Sequence, residues 1–238
     1  GIGGTLTRNS IGITRSFTLD IVYSYRIPMR RGHLSLGVMP SIRQYWQNWN
    51  DERLYSSTPI STDIAIPNDA KNKTVFNLGF GAYFSNDHFF AGASAPRMIP
   101  ANIDFEENGA YFSKEELHLN AMAGFTLKPN DALKIIPQVL LKYVLHAPFD
   151  ADVNVSALLH DKFYGGLSYR LGGDTNGAGE SLDVMAGVQA TKNLFFCLSY
   201  DIGFTRLRKF SNGSIEATAR WWFNPPEGTA IDSGRGDF

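Results

Sequence analysis

Residues 134–171 read KIIPQVLLKYVLHAPFDADVNVSALLHDKFYGGLSYRL, three strand-like runs in succession. In the middle run Phe149, Ala151, Val153, Val155, Ala157 and Leu159 alternate with Asp150, Asp152, Asn154, Ser156, Leu158 and His160. Side chains on a strand point to opposite faces with period two, so one face is apolar and the other mostly polar. The next run obeys the same rule, with Phe163, Gly165, Leu167, Tyr169 and Leu171 opposed to Tyr164, Gly166, Ser168 and Arg170. Only His160-Asp161 separates the two runs, which predicts a tight hairpin. A sheet of this kind fits half of a soluble sandwich or the wall of a membrane barrel.

The same alternation extends in both directions. Upstream, it predicts a short strand at Ile2–Leu6, a polar stretch from Thr7 to Ser16, and strands over Phe17–Ile27 and from His33 to the aromatic cluster Tyr45, Trp46 and Trp49. The longest irregular stretch follows, Asn50 to Lys73. Strands resume over Thr74–Ser85 and His88–Ala95, break for a second long loop from Pro96 to Glu115, and continue over Leu117–Leu127. Downstream come Leu182–Ala190, Leu194–Phe204 and Ser214–Phe223, for twelve strands in all. No composition shift divides them, so residues 1–223 read as one barrel and 224–238 as a Pro/Gly-rich tail.

Connection lengths separate the two architectures. They are short at 28–32, 86–87, 129–132, 160–161 and 192–193, and mostly longer at the intervening ends. Outer-membrane barrels sort their connections in this way, with short periplasmic turns and longer extracellular loops. Aromatic residues recur beside the short turns, at Tyr25, Phe84, Phe89, Phe163, Phe195, Trp221 and Phe223, where an interfacial girdle belongs. Eleven charges, Asp20, Arg26, Lys134, Lys142, Asp150, Asp152, Arg170, Asp183, Asp201, Glu216 and Arg220, fall on the face opposite the apolar stripe. In a soluble barrel, where the inside is the core, their placement would be inverted. In a membrane barrel they line the lumen. The expected fold is therefore an all-β transmembrane antiparallel barrel, with long loops extracellular and both termini periplasmic.

Composition narrows the function. The formal net charge is −1 and the basic residues are scattered, which excludes the electrostatic footprint of a nucleic-acid binder. A single cysteine, Cys197, rules out an internal disulfide. No apolar run approaches the length of a membrane-spanning helix. The five histidines, at 33, 88, 118, 146 and 160, show no metal-ligand spacing, and neither a Gly-x-Ser-x-Gly elbow nor an HExxH motif is present. The expectation is no catalytic, cofactor or metal site, and no enzyme. Asp150 and Asp152 share a face two residues apart, where pairing with Lys134, Lys142 or Arg170 is expected ahead of a bound cation.

Three stretches also carry a family resemblance: NLGFGAYFSNDHFFAGASAPRMI at Asn77–Ile99, LLKYVLHAPFDADVNVSALLHDKFYGGLSYR at Leu140–Arg170, and LSYDIGFTRLRKFSNGSIEATARWWF at Leu198–Phe223. Together they resemble the PorP/SprF family of outer-membrane proteins of the Bacteroidota type IX secretion system. The resemblance implies a barrel, embedded in outer-membrane lipid, that takes part in protein secretion and gliding. Its implied partners are a secreted cargo protein, engaged through its C-terminal domain, or periplasmic lipoproteins and ring components. It also implies chain upstream of Gly1, and with one further hairpin the count becomes fourteen strands. The alternative from the residues alone is a passive pore or transporter for small solutes, selected by the charged lumen face.

Overall fold

The computed structural model describes residues 1–48, 71–103, 114–145, 147–172, 179–205 and 212–223, and within them every helix or strand element is a β-strand. Fifteen strands occur in chain order: β1 (Ile2–Ile11), β2 (Thr14–Met29), β3 (Gly32–Gln47), β4 (Lys71–Ser85), β5 (Phe89–Arg97), β6 (Ala101–Asn102), β7 (Lys114–Glu115), β8 (His118–Phe125), β9 (Leu127–Asn130), β10 (Leu133–Val144), β11 (Asp150–Leu159), β12 (Phe163–Leu171), β13 (Ser181–Gln189), β14 (Leu194–Gly203) and β15 (Ser214–Trp221). Twelve of them form one sheet in the order β1-β2-β3-β4-β5-β8-β10-β11-β12-β13-β14-β15, with β9 added beside β10 and β6 paired with β7 as a separate ribbon. Each strand thus pairs with its neighbours along the chain, and β1 and β15 are the terminal members of the order.

The twelve strands along the main sheet and the central hairpin agree with the alternation, while several boundaries do not. The polar stretch Thr7–Ser16 is not a loop. β1 runs on to Ile11, and β2 starts at Thr14, in unbroken antiparallel register from Ile2↔Tyr23 to Ile11↔Thr14. Gly12, at φ 58°, makes the turn between them, so the first connection at the long-loop end is tight. β4 begins at Lys71, inside the stretch expected to be irregular, and residues 50–70 of that stretch lie outside the described residues. The Pro96–Glu115 loop holds the β6–β7 ribbon, with Ala101 opposite Glu115 and Asn102 opposite Lys114. Two-residue strands leave no alternation to read, which is why this ribbon is invisible to a periodicity argument. Trp49, His146 and the tail 224–238 also lie outside the described residues.

Contacts group the chain into two units. The first comprises Gly1–Arg26, Leu36–Gly81 and Ser94–His118, and the second Ile27–Ser35, Ala82–Ala93 and the chain from Leu119 on. In the first unit Ile2, Leu6, Ile21, Tyr23, Tyr25, Phe76 and Phe80 are exposed, with Ile2 at 83%, whereas Thr18, Ser41, Asn77 and Glu115 on the other face are buried. The second unit repeats the pattern: Phe125, Val153, Val155, Phe163, Leu167, Leu198 and Ile215 are exposed, and Ser156, Ser181 and Gln189 are buried. A water-soluble fold sorts these residues the other way. Apolar surface on this scale, on alternate residues of strand after strand, is a face made for lipid.

At the β11–β12 hairpin both central residues, His160 and Asp161, have left-handed backbones at φ 51° and 52°. Lys162 N–H donates to Leu159 O at 3.0 Å, closing a type I′ turn. Neither residue is glycine, so the turn carries a conformational cost of about 1–2 kcal/mol per residue, least for short polar side chains that tolerate this region. We predict that His160→Asn raises the urea midpoint of micelle-folded protein and that His160→Val lowers it, the two differing by about 1 kcal/mol. Equal midpoints would mean that the turn does not set the register.

Candidate functional site

Strand parity puts the charges of the second unit in one row. Asp152 lies opposite Arg170, Lys142 opposite Asp150, and Asp183 opposite Asp201, so the row crosses five adjacent strands from β10 to β14. Cross-strand pairs on one face are the units that couple neighbouring strands. Lys142 Nζ reaches Asp152 at 2.6 Å and Asp150 at 3.2 Å, Arg170 Nε donates to Asp152 at 3.2 Å, and Arg170 Nη1 stands 4.0 Å from Asp201. Ser181 Oγ adds a hydrogen bond to Asp201 at 3.2 Å. Lys134 pairs instead with Asp161 of the hairpin turn, at 2.6 Å. The two aspartates that share a face are thus bridged by a lysine. Asp183 is half-buried beside Asp201, Glu216 and Arg26 are exposed, and Arg220 lies over the Trp222 ring at 5.3 Å. Among the described residues no group of three His, Cys, Asp or Glu side chains is arranged to hold a metal ion.

The first unit holds a second polar network that the alternation did not single out. Glu115, on β7, is buried, and its carboxylate accepts on both oxygens. Arg43 Nη1 donates to Oε1 at 2.6 Å, Tyr45 Oη donates to the same oxygen at 3.3 Å, and Asn77 Nδ2 donates to Oε2 at 2.9 Å. Arg43 is itself held by Thr18 of β2 at 3.0 Å, and the Asn77 amide clasps the backbone of Ile99 on both its donor and acceptor sides. Asp20, the expected inward charge nearby, accepts from Ser41 Oγ at 2.5 Å. Three wall strands, β2, β3 and β4, therefore clamp the β6–β7 ribbon by one buried carboxylate. Sequence carries a weak signal for this: Asn77 sits at an inward position between the outward Phe76 and Leu78. Its partner Glu115 lies where no alternation exists.

The inward face also contains large apolar groups. Leu158 and Phe195, 1% and 6% exposed, pack with Tyr164, Cys197 and Trp222. Phe90, at 2%, occupies space that glycine leaves open: a Cβ on Gly124 would collide with its ring. Gly187 does the same for Phe195, at 2.7 Å. Pairing small residues with large ones is how an inward-facing surface is filled. Of the aromatics expected at the interface, Tyr25, Phe163, Trp221 and Phe223 are exposed, Phe84 and Phe89 are half-buried with Phe89 against Phe125 at 5.2 Å, and Phe195 turns inward.

An antiparallel meander with an exposed apolar face and a hydrogen-bonded, charged opposite face defines a membrane-embedded β-protein of the outer-membrane kind. Residues 1–221 match the model of the family described as type IX secretion system membrane protein PorP/SprF, and the chain belongs to that family. The family is one of secretion-system membrane components. No curated protein matches the chain.

Removing one partner of a buried ion pair leaves the other charge uncompensated, which costs about 3–5 kcal/mol. Arg43→Met should lower the unfolding free energy in urea by that order, and adding Glu115→Leu should recover most of the loss. A double variant as unstable as the single one would show that the clamp is not an electrostatic unit.

Proposed function

We propose that this chain is an occluded outer-membrane barrel that serves type IX secretion by engaging a secreted cargo protein, through its C-terminal domain, or periplasmic lipoproteins and ring components. Residues 1–223 make the wall, and 224–238 form a periplasmic tail. The long connections, 49–70 and 98–117, face the cell exterior. The observation that carries the reading, beside family membership, is how the inward face is filled. Phe90, Leu158 and Phe195 are buried on it in one unit, and Glu115 is clamped to it in the other. A conducting wall needs solvated side chains, whereas a docking component gains rigidity from filled ones. One feature favours the alternative of a solute pore: the row Lys142, Asp150, Arg170 and Asp201 keeps about a quarter to a third of its side-chain surface exposed.

Two measurements on one preparation separate the readings. Protein drawn from native outer membranes should bring down a secreted protein or ring components, deletion of 50–70 together with 104–113 should weaken cargo recovery, and the purified chain should give no steady large conductance in a planar bilayer. Large steady conductance, with recovery unchanged by the deletions, would favour the pore.

A further inference from the structure

The lipid-facing side of the first unit ends in two guanidinium groups. Arg8 lies opposite Phe17 and Ser10 opposite Arg15, so Arg8, Ser10, Arg15 and Phe17 share one face of the β1–β2 pair. That face continues into Leu6 and Ile2 on β1 and into Ile21 and Tyr23 on β2, all exposed. It is opposite to the face on which Thr18 and Asp20 make their hydrogen bonds. Trp46 of β3 is exposed at the same end, where Asn48 N–H donates to Ile13 O at 3.3 Å and ties β3 to the β1–β2 turn. Arg8, Arg15, Phe17 and Trp46 line a common cleft of about 630 Å³. Among the described residues neither guanidinium meets a carboxylate.

The height of this cleft fits a headgroup. Arg15 and Tyr25 stand ten residues apart on β2, about 34 Å along a strand at ~3.4 Å per residue. A strand tilt of about 40° reduces that to about 26 Å, close to the apolar band of about 25 Å that outer-membrane barrels present. With Tyr25 at one boundary, Arg15, Arg8 and Trp46 fall at the other, with apolar side chains between. Arginine matches phosphate geometry with a planar fork of donors, and tryptophan favours the level where acyl chain meets headgroup.

We propose that Arg8, Arg15 and Trp46 form a binding site for a phosphate-bearing lipid of the leaflet on the long-connection side, its phosphate held by the two guanidinium groups and its chains lying along Leu6, Ile21 and Tyr23. A soluble anionic peptide would gain nothing from the apolar track beneath the cleft, and an uncharged lipid would leave both arginines unmatched. The inference rests on the membrane reading of the fold, and its test separates the two.

Full-length protein folded in neutral detergent, with heat-modifiable mobility confirming the barrel in every sample, is titrated by native mass spectrometry with a phosphorylated glycolipid, with its dephosphorylated form, and with inorganic phosphate. The wild type should bind the phosphorylated lipid, the dephosphorylated form far more weakly, and inorganic phosphate not measurably. Arg8→Ala with Arg15→Ala should weaken lipid binding roughly thirtyfold, about a factor of five for each guanidinium. Arg30→Ala with Arg31→Ala, at the opposite turn, should leave binding unchanged. Equal binding of both lipids, no loss in the Arg8/Arg15 variant, or equal loss in the Arg30/Arg31 variant would each overturn the site. If folded mobility is never reached, it is the membrane reading that fails.

Discussion

Hydrocarbon offers no water to take a backbone hydrogen bond, and this constraint governs the rest of the structure. Each unsatisfied amide in such surroundings costs several kcal/mol, so a chain that crosses with strands must pair every strand on both edges. A meander in which each strand neighbours the next in sequence meets this demand with the shortest connections for every strand between β1 and β15, the terminal members of the order. Once the backbone is committed to the sheet, the period of two leaves each side chain a choice between lipid and interior. Ile2, Ile21, Tyr23 and Tyr25 take the first, and Thr18, Asp20, Ser41 and Asn77 the second.

The interior is then filled in three different ways, each with its own energetics. The row from Lys142 to Asp201 is partly exposed, and pairs of this kind are each worth about 0–1 kcal/mol, so its main effect is to hold register across five strands. The Glu115 clamp is buried and joins strands distant in sequence, so it couples the β6–β7 ribbon to the wall far more strongly. The aromatic packing depends on glycine: Gly124 and Gly187 sit where any side chain would collide with Phe90 or Phe195. The alternation that reads as merely polar thus contains a packed apolar layer as well as a solvated one.

How far the sequence foretold this varies with the physics of each element. The β11–β12 hairpin was legible because strict alternation and a two-residue gap leave one register, and its turn shows the left-handed pair that such a gap demands. β1 was cut short at Leu6 because Arg8, Asn9 and Ser10 are polar on both faces. Beyond the lipid boundary neither face needs an apolar group, so the pattern fades while the pairing continues. The link between Lys142 and Asp152 could be foreseen from a shared face, whereas Arg43–Glu115 spans a segment with no pattern and depends on where the ribbon folds back. Phe195 reads as a girdle residue by its place beside a turn. Its inward direction follows from parity with Cys197, Ser199 and Asp201, which outweighs proximity to the turn.

One side of each long strand faces lipid and the other faces the interior. Single spin labels placed in turn from residue 17 to residue 25 of β2, in protein reconstituted into vesicles, report this through their collision with oxygen in the bilayer and with a polar relaxant in water. Labels at Ile21, Tyr23 and Tyr25 should show high oxygen collision, and those at Thr18, Asp20, Val22 and Ser24 low, alternating at every residue. A smooth profile without alternation, or one with Thr18, Asp20 and Ser24 as the lipid-exposed set, would contradict it.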